Sequence, residues 1–246
     1  MEISTVIPCY NEESRIRTSF REIVSFFKRK KYSCELIFVN DGSLDNTYFI
    51  LKELAKSVNL NPGLKIEIIG YAKNQGKGYA VKRGINKAKG DFIFLSDADL
   101  STPLSQLNKL IKFSQTFDLV IGSRKQPDAK VIIRQSLLRE FLGRVFSYLS
   151  KVILQVSVND FTCGFKLIKA KKAKLIAKKM VINRWGYDSE MLKIAAVNKY
   201  KIKEIGVIWK NDSRSKVKLS LDIFRSMVDL LTIYFNSLGH KYEIRT

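Results

Sequence analysis

The sequence predicts an α/β fold: a mainly parallel sheet flanked by helices, with amphipathic helices toward the C-terminus. Three observations carry this. From Ile3 to Ser123, short β-branched or apolar runs alternate with segments of helical period, the pattern of parallel strands joined by crossover helices. Three of the runs end in polar clusters, at Tyr10 to Glu12, Asn40-Asp41 and Asp97 to Asp99, which such a topology gathers on one edge of the sheet. Beyond Arg134, two long stretches set apolar residues on one helical face and basic residues on another.

The elements follow in order. Ile3 to Pro8 is the first strand, and Cys9 to Glu13 is the turn after it. The next helix carries Ile16, Phe20, Ile23, Val24 and Phe27 at helical spacing. Glu35 to Asn40 is the second strand; Asp41-Gly42-Ser43 turns the chain, and Asp45 or Asn46 starts a helix. Lys65 to Ile69 is the third strand, and Asn74 to Gly78 opens a helix with Ala80, Val81 and Ile85. Phe92 to Leu95 is a buried fourth strand, followed by a helix from Pro103. Asp118 to Gly122 is the fifth. Arg134 to Ser157 reads as one long amphipathic helix or a pair, striped by Leu138, Phe141, Leu142, Val145, Leu149, Val152 and Ile153. Asn159 to Lys166 enters a strand, Asn183 to Glu190 leads into a helix, and Lys201 to Trp209 alternates as an edge strand. Asp212 to Lys218 is a basic loop. Leu219 to Leu238 is a final helix with Phe224, Met227, Val228, Leu231, Tyr234, Phe235 and Leu238 on one side. The expected division is a catalytic domain over 1–212, with amphipathic interface helices inserted at 131–158, and a basic loop and helix over 213–246.

Composition narrows the partners. Lys and Arg number 44 against 23 Asp and Glu, a formal charge of +21. That favours anionic partners such as nucleotides or an acidic membrane surface. Cys9, Cys34 and Cys163 lie at no metal-ligand spacing and read as reduced thiols of a cytoplasmic protein. His240 is the one histidine, which argues against a histidine triad or a zinc centre. No signal peptide is expected, because Met1 leads straight into a strand. No run approaches the roughly 18 apolar residues that span a bilayer.

Asp97 and Asp99 close the fourth strand. Residues two apart on extended chain share a face, so the two carboxylates repel unless solvent, a cation or a basic group intervenes. Hard oxygen donors suit Mg²⁺ or Mn²⁺, shared with substrate phosphates. A plain solvated turn, with Asp99 capping the following helix, is the competing reading. Pro8, Tyr10 and Glu12 sit where a base and ribose fit, and Asp41 where a carboxylate meets a base edge. Gly76 and Gly78 permit close backbone approach at a helix start, which favours an anion, and Lys77 adds charge. Arg124 is placed to bind phosphate bidentately. Asp188 and Glu190, flanked by Trp185, are candidates for a sugar; Trp185 reads equally as core. Arg134, Arg139 and Arg144 mark the amphipathic segment as a surface for lipid phosphate at headgroup level. Five residues are about 140° on a helix, so Arg139 and Arg144 point different ways.

Taken in order, Val-Ile-Pro-Cys-Tyr-Asn-Glu-Glu, Val-Asn-Asp-Gly-Ser, Asn-Gln-Gly-Lys-Gly, Asp-Ala-Asp and Gly-Ser-Arg resemble family 2 of the inverting glycosyltransferases, with the GT-A fold. Asp160-Phe-Thr-Cys-Gly-Phe-Lys and Arg184-Trp-Gly-Tyr-Asp-Ser-Glu resemble its polyprenyl-phosphate branch, the dolichyl-phosphate β-glucosyltransferases first and the mannose synthases next. The resemblance spans about residues 3–216. It implies hexose transfer from a nucleotide sugar, UDP-glucose ahead of GDP-mannose, to a polyprenyl or dolichyl phosphate on the cytoplasmic face of a membrane. It implies Asp99 as the direct metal ligand and Asp97 as a ligand or ribose contact, with Ala98 between them at the nucleotide. Arg124 and Asp160 join the catalytic set, Asp160 being the first candidate should a base be required. The mannose synthases place Gln two residues after the second Asp; Ser101 stands here, which leaves the third ligand open. Oligomeric state stays open, and so does a family 2 transferase acting on another sugar acceptor.

Two other classes predict features this chain lacks. A nucleotidyltransferase calls for a Gly-rich Arg/Lys signature near the first strand, and Ile7 to Glu13 has none. A nucleic-acid-binding module calls for exposed aromatics interleaved with basic residues, whereas paired carboxylates mark the strand end here.

Overall fold

The computed structural model describes residues 2–59, 62–212 and 219–244, and of 219–224 the backbone alone. The expected basic loop at 213–218 and the side chain of Phe224 lie outside the described residues. The strands are β1 (Glu2–Cys9), β2 (Ser33–Asn40), β3 (Leu64–Gly70), β4 (Phe92–Leu95), β5 (Leu119–Ser123), β6 (Lys130–Ile133), β7 (Lys166–Lys169), β8 (Ile202–Gly206) and β9 (Ile208–Lys210). The helices are α1 (Glu13–Lys28), α2 (Thr47–Ser57), α3 (Lys77–Lys87), α4 (Leu107–Ile111), α5 (Leu137–Leu154), α6 (Ala170–Lys179), α7 (Tyr187–Val197) and α8 (Leu219–Leu238).

Seven strands form one sheet in the order β3-β2-β1-β4-β7-β5-β8. All neighbours are parallel except β7, which runs antiparallel to both β4 and β5. The order reverses direction at β1 and β4, the place where an open α/β sheet leaves a crevice beyond its strand ends. Strand alternation divides the core. Val6 and Ile37 face the side packed by α3, α6 and α7; Ile3, Ile7 and Leu36 face the side packed by α1 and α2.

The amphipathic segment is one helix, α5, flanked by β6 on its N-terminal side. α8 packs against α5 and α7, and its Leu230 and Ile233 belong to the same core as α3 and α7. Lys201 to Trp209, expected as one strand, is two. β8 pairs with β5, β9 pairs with β6 in a separate two-stranded sheet, and Val207 bridges them by bonding both Ser123 and Lys130. The helix expected from Pro103 is short, a 3₁₀ turn at Leu104–Gln106 leading into α4. Among the described residues no helix is long and apolar enough to cross a membrane.

Candidate active site

One cleft of about 1080 Å³ opens beyond the ends of β1, β4 and β5. Pro8, Tyr10, Glu12, Asp41, Gly76, Lys77, Asp97, Ala98, Asp99, Arg124, Arg134, Arg139, Arg144, Trp185 and Asp188 all line it. Segments far apart in the chain thus converge as the strand ends require.

At its floor Lys77 Nζ lies 2.6 Å from Oδ1 of Asp97. Burial pushes Asp97 up, but Lys77, with Lys166 and Arg124 behind it, outweighs burial and holds it below the usual carboxylate range. Asp99 is raised, by burial first and by Asp97 next. Its Oδ1 accepts the Ser101 N–H at 2.9 Å, so it caps its own turn. Each carboxylate keeps its second oxygen, and among the described residues no third His, Cys, Asp or Glu completes a metal cluster with them. Two carboxylates at a strand end suit Mg²⁺ or Mn²⁺, ions commonly held by one or two carboxylates plus substrate phosphates.

Several of the expected site residues are engaged by the protein itself. Asp41 is taken up by its own loop. Its oxygens accept from Tyr71 Oη (2.8 Å), Asn74 Nδ2 (2.8 Å), Gln75 N (2.8 Å) and Gly76 N (2.9 Å), so the protein itself engages the carboxylate. Gly76, with φ of 108°, and Gly78 are close-packed against protein. A Cβ at 76 would stand 2.4 Å from the Asn183 carbonyl, and one at 78 would stand 2.6 Å from that of Ile182. Glu190 is fully buried away from the cleft, accepting Val181 N, Ile182 N and Tyr242 Oη. Residues two apart on a helix differ by about 200°, so Asp188 and Glu190 on α7 cannot face one ligand. Asp160 is fully buried and receives Arg124 Nε (2.8 Å), Nη2 (2.7 Å) and N (3.0 Å). Burial opposes its ionisation, yet Arg124 holds it far below the carboxylate range. Asp160 therefore aims Arg124.

Several residues escaped the sequence reading. Lys166, fully buried, bonds Asp188 and fixes the acid at the cleft wall. Its signal was faint: a lysine two residues past Gly164, at the start of an apolar strand. Arg15 makes a bidentate pair with Glu12, so that carboxylate is also occupied, and Arg15 reaches Asp212 at 3.0 Å. Spacing of three on α1 was the readable clue. Trp209 lies 5.5 Å from the Arg124 guanidinium. Trp185 is half-buried, its ring 5.6 Å from Lys77 Nζ.

The comparisons agree with this geometry. Residues 4–176 match the family described as Glycosyl transferase family 2. The chain belongs to that family. It is a glycosyltransferase of the GT-A fold. A dolichyl-phosphate beta-glucosyltransferase of Trichomonas vaginalis is 33% identical over 94% of this chain and 71% of its own length. Those of Mus musculus and Saccharomyces cerevisiae are each 31% identical, over 99% and 94% of this chain and 78% and 73% of their own. Among solved structures, glucosyl-3-phosphoglycerate synthase from Mycobacterium tuberculosis in complex with Mn²⁺, UDP-glucose and phosphoglyceric acid superposes with TM-score 0.67 at 19% identity. That match covers 95% of this chain and 80% of that one.

Proposed function

We propose that this glycosyltransferase moves glucose from UDP-glucose to a polyprenyl or dolichyl phosphate at a membrane surface, with inversion at the anomeric carbon. One observation carries the reading: the cleft that ends on Asp97 and Asp99 has α5 and α8 in its wall, and both helices turn large apolar side chains outward. Leu137, Leu138, Phe141, Tyr148 and Val152 on α5, and Leu231, Phe235 and Leu238 on α8, are each about half exposed or more. So broad an apolar surface rimmed by Arg134 and Arg144 suits a bilayer interface better than water. The names of the relatives supply the sugar and the lipid phosphate.

In this reading Asp97 and Asp99 hold Mg²⁺ or Mn²⁺, which supplies charge neutralisation for the departing diphosphate. Pro8, Tyr10 and Ala98 flank the nucleoside, Lys77 adds charge at the diphosphate, and Trp185 and Asp188 border the sugar. Arg124, aimed by Asp160 and Trp209, and Arg139 bind phosphate. The acceptor arrives ionised, so its oxygen attacks without a general base. The three free, buried cysteines support a reducing compartment, hence the cytoplasmic face.

The deciding experiment incubates the protein with phytanyl phosphate, a saturated branched-chain lipid monophosphate, and UDP-glucose or GDP-mannose. UDP release and a glucosylated lipid are expected; product from GDP-mannose alone would replace the sugar, and product from neither would end the reading. Flotation with anionic vesicles tests the membrane arm. Binding at low salt that weakens as salt screens the arginines is expected, and no binding at low salt would remove the interface.

A further inference from the structure

Arg139, Leu142, Gly143 and Phe146 of α5 line the cleft. They occupy positions i, i+3, i+4 and i+7, one stripe of the helix. Gly143 is unexpected there. It lies inside an 18-residue helix, where glycine is the least favourable residue short of proline. Nothing packs on it, since a Cβ at 143 would meet no atom within 4 Å. Neither backbone conformation nor a neighbouring element calls for a missing side chain. Across the cleft, Lys125 donates from Nζ to the Gly143 carbonyl at 3.4 Å. Lys125 follows Arg124 in the chain, and Arg139 lies one turn before Gly143. Burial lowers both Lys125 and Arg139; Arg124 lowers both further, while Asp160 and Glu204 partly offset the shift at Lys125. Three cations thus crowd together, while the buried acid beside them, Asp160, is bonded to Arg124.

We propose that Lys125 joins Arg139 in holding the monophosphate of the acceptor, and that Gly143 leaves the groove by which the first carbons of its apolar chain pass between Leu142 and Phe146. This rests on the lipid-phosphate reading above and assigns within it a residue that binds and a residue that selects. Leu142 and Phe146 supply apolar walls; a side chain at 143 would fill the space between them.

The test is calorimetric titration of the full chain with phytanyl phosphate and with inorganic phosphate. Wild type should bind both, the lipid more tightly. Gly143→Ala should raise Tm by about 2–4 °C and leave inorganic phosphate unchanged. It should weaken phytanyl phosphate about tenfold through overpacking, and Gly143→Ser should repeat that loss. Lys125→Gln should weaken both ligands about tenfold. The proposal is overturned if Gly143→Ala binds the lipid as wild type does, weakens both ligands equally or lowers Tm. It is also overturned if Lys125→Gln changes neither ligand, or if wild type binds neither. Because no donor is present, a protein that binds the lipid by this pattern yet transfers no glucose would sink the proposed reaction and leave this site standing.

Discussion

On the floor of the cleft, charges come in pairs: Asp97 with Lys77, Asp160 with Arg124, Asp188 with Lys166, Glu12 with Arg15. On the α5–α8 wall, Phe141, Tyr148 and Phe235 stand more than 60% exposed, and Arg144 spreads into solvent with one weak partner in Glu140. These pairs are fixed within the chain before any substrate arrives, and Asp99, raised by burial and by Asp97, stands outside them. The wall leaves large apolar side chains open, which a membrane covers in the function proposed above. A donor that is a small, charged, soluble molecule needs the first kind of surface. An acceptor that is half phosphate and half hydrocarbon needs the second.

The sharpest way to break this contrast is at the floor. Asp99→Asn should cost on the order of a thousandfold in kcat/KM, the upper range for losing one preorganised electrostatic group. It should leave Tm unchanged or slightly raised, because burial and Asp97 already disfavour the charge on Asp99. Thermal melts and UDP release measure the two sides. Full activity of this variant in chelator would place the chemistry elsewhere.

Asp160→Asn comes next, and it separates structural pairing from catalysis. Removing one partner of a buried ion pair costs about 3 kcal/mol, a fall of about 6–12 °C in Tm for a chain of this size. The folded pKa of Asp160 lies below its ordinary value of 3.8. Its contribution to stability is therefore present above about pH 4 and is lost as pH falls from there toward the folded value. Acid unfolding followed by circular dichroism should accordingly be less steep in Asp160→Asn than in wild type. Equal steepness would mean that the pair contributes little.

At the wall, Arg139→Ala should lower kcat/KM for the lipid phosphate about thirty- to a hundredfold, the worth of a charged hydrogen bond of about 2–3 kcal/mol. Donor binding should hold, as read by titration with UDP-glucose. A change confined to donor affinity would assign this stretch of α5 to the nucleotide.

How much of this was legible in the sequence follows the same division. Strand ends were readable because period and polarity change abruptly there, as between Leu95 and Asp97. β6 was not, since its four residues are all exposed and pair with a strand far along the chain. The converging residues were readable as types at a strand end; the roles of Asp41, Glu12 and Glu190 were not. Glu12 reads as a ligand group, although Arg15, three residues on, pairs with it; Asp41 and Glu190 have partners that local spacing does not place alongside them. Asp41 collects donors 30 or more residues away, and Glu190 collects one 52 residues away. A motif shows that a carboxylate is needed and is silent on whether a ligand or the fold needs it.

The smallest effect tests that last point. Tyr242 lies beyond α8, is buried, and donates from Oη to Glu190 Oε1 at 2.8 Å. Glu190 in turn accepts Val181 N and Ile182 N, both at 2.9 Å, and the Ile182 and Asn183 carbonyls pack on Gly78 and Gly76. The chain after α8 is thereby braced to the loop that supports α3 and Lys77. Tyr242→Phe removes the hydrogen bond to the Glu190 carboxylate and a long one accepted from Asn236 Nδ2, and keeps the ring, so it should cost about 1.5 kcal/mol, or about 3–6 °C in Tm. The other two donors still satisfy the carboxylate, and KM for UDP-glucose should stay within about twofold. If Glu190 instead bound sugar, releasing it from Tyr242 would change donor KM and leave Tm alone. The opposite signs of these two outcomes make a small substitution sufficient to decide which region Glu190 serves.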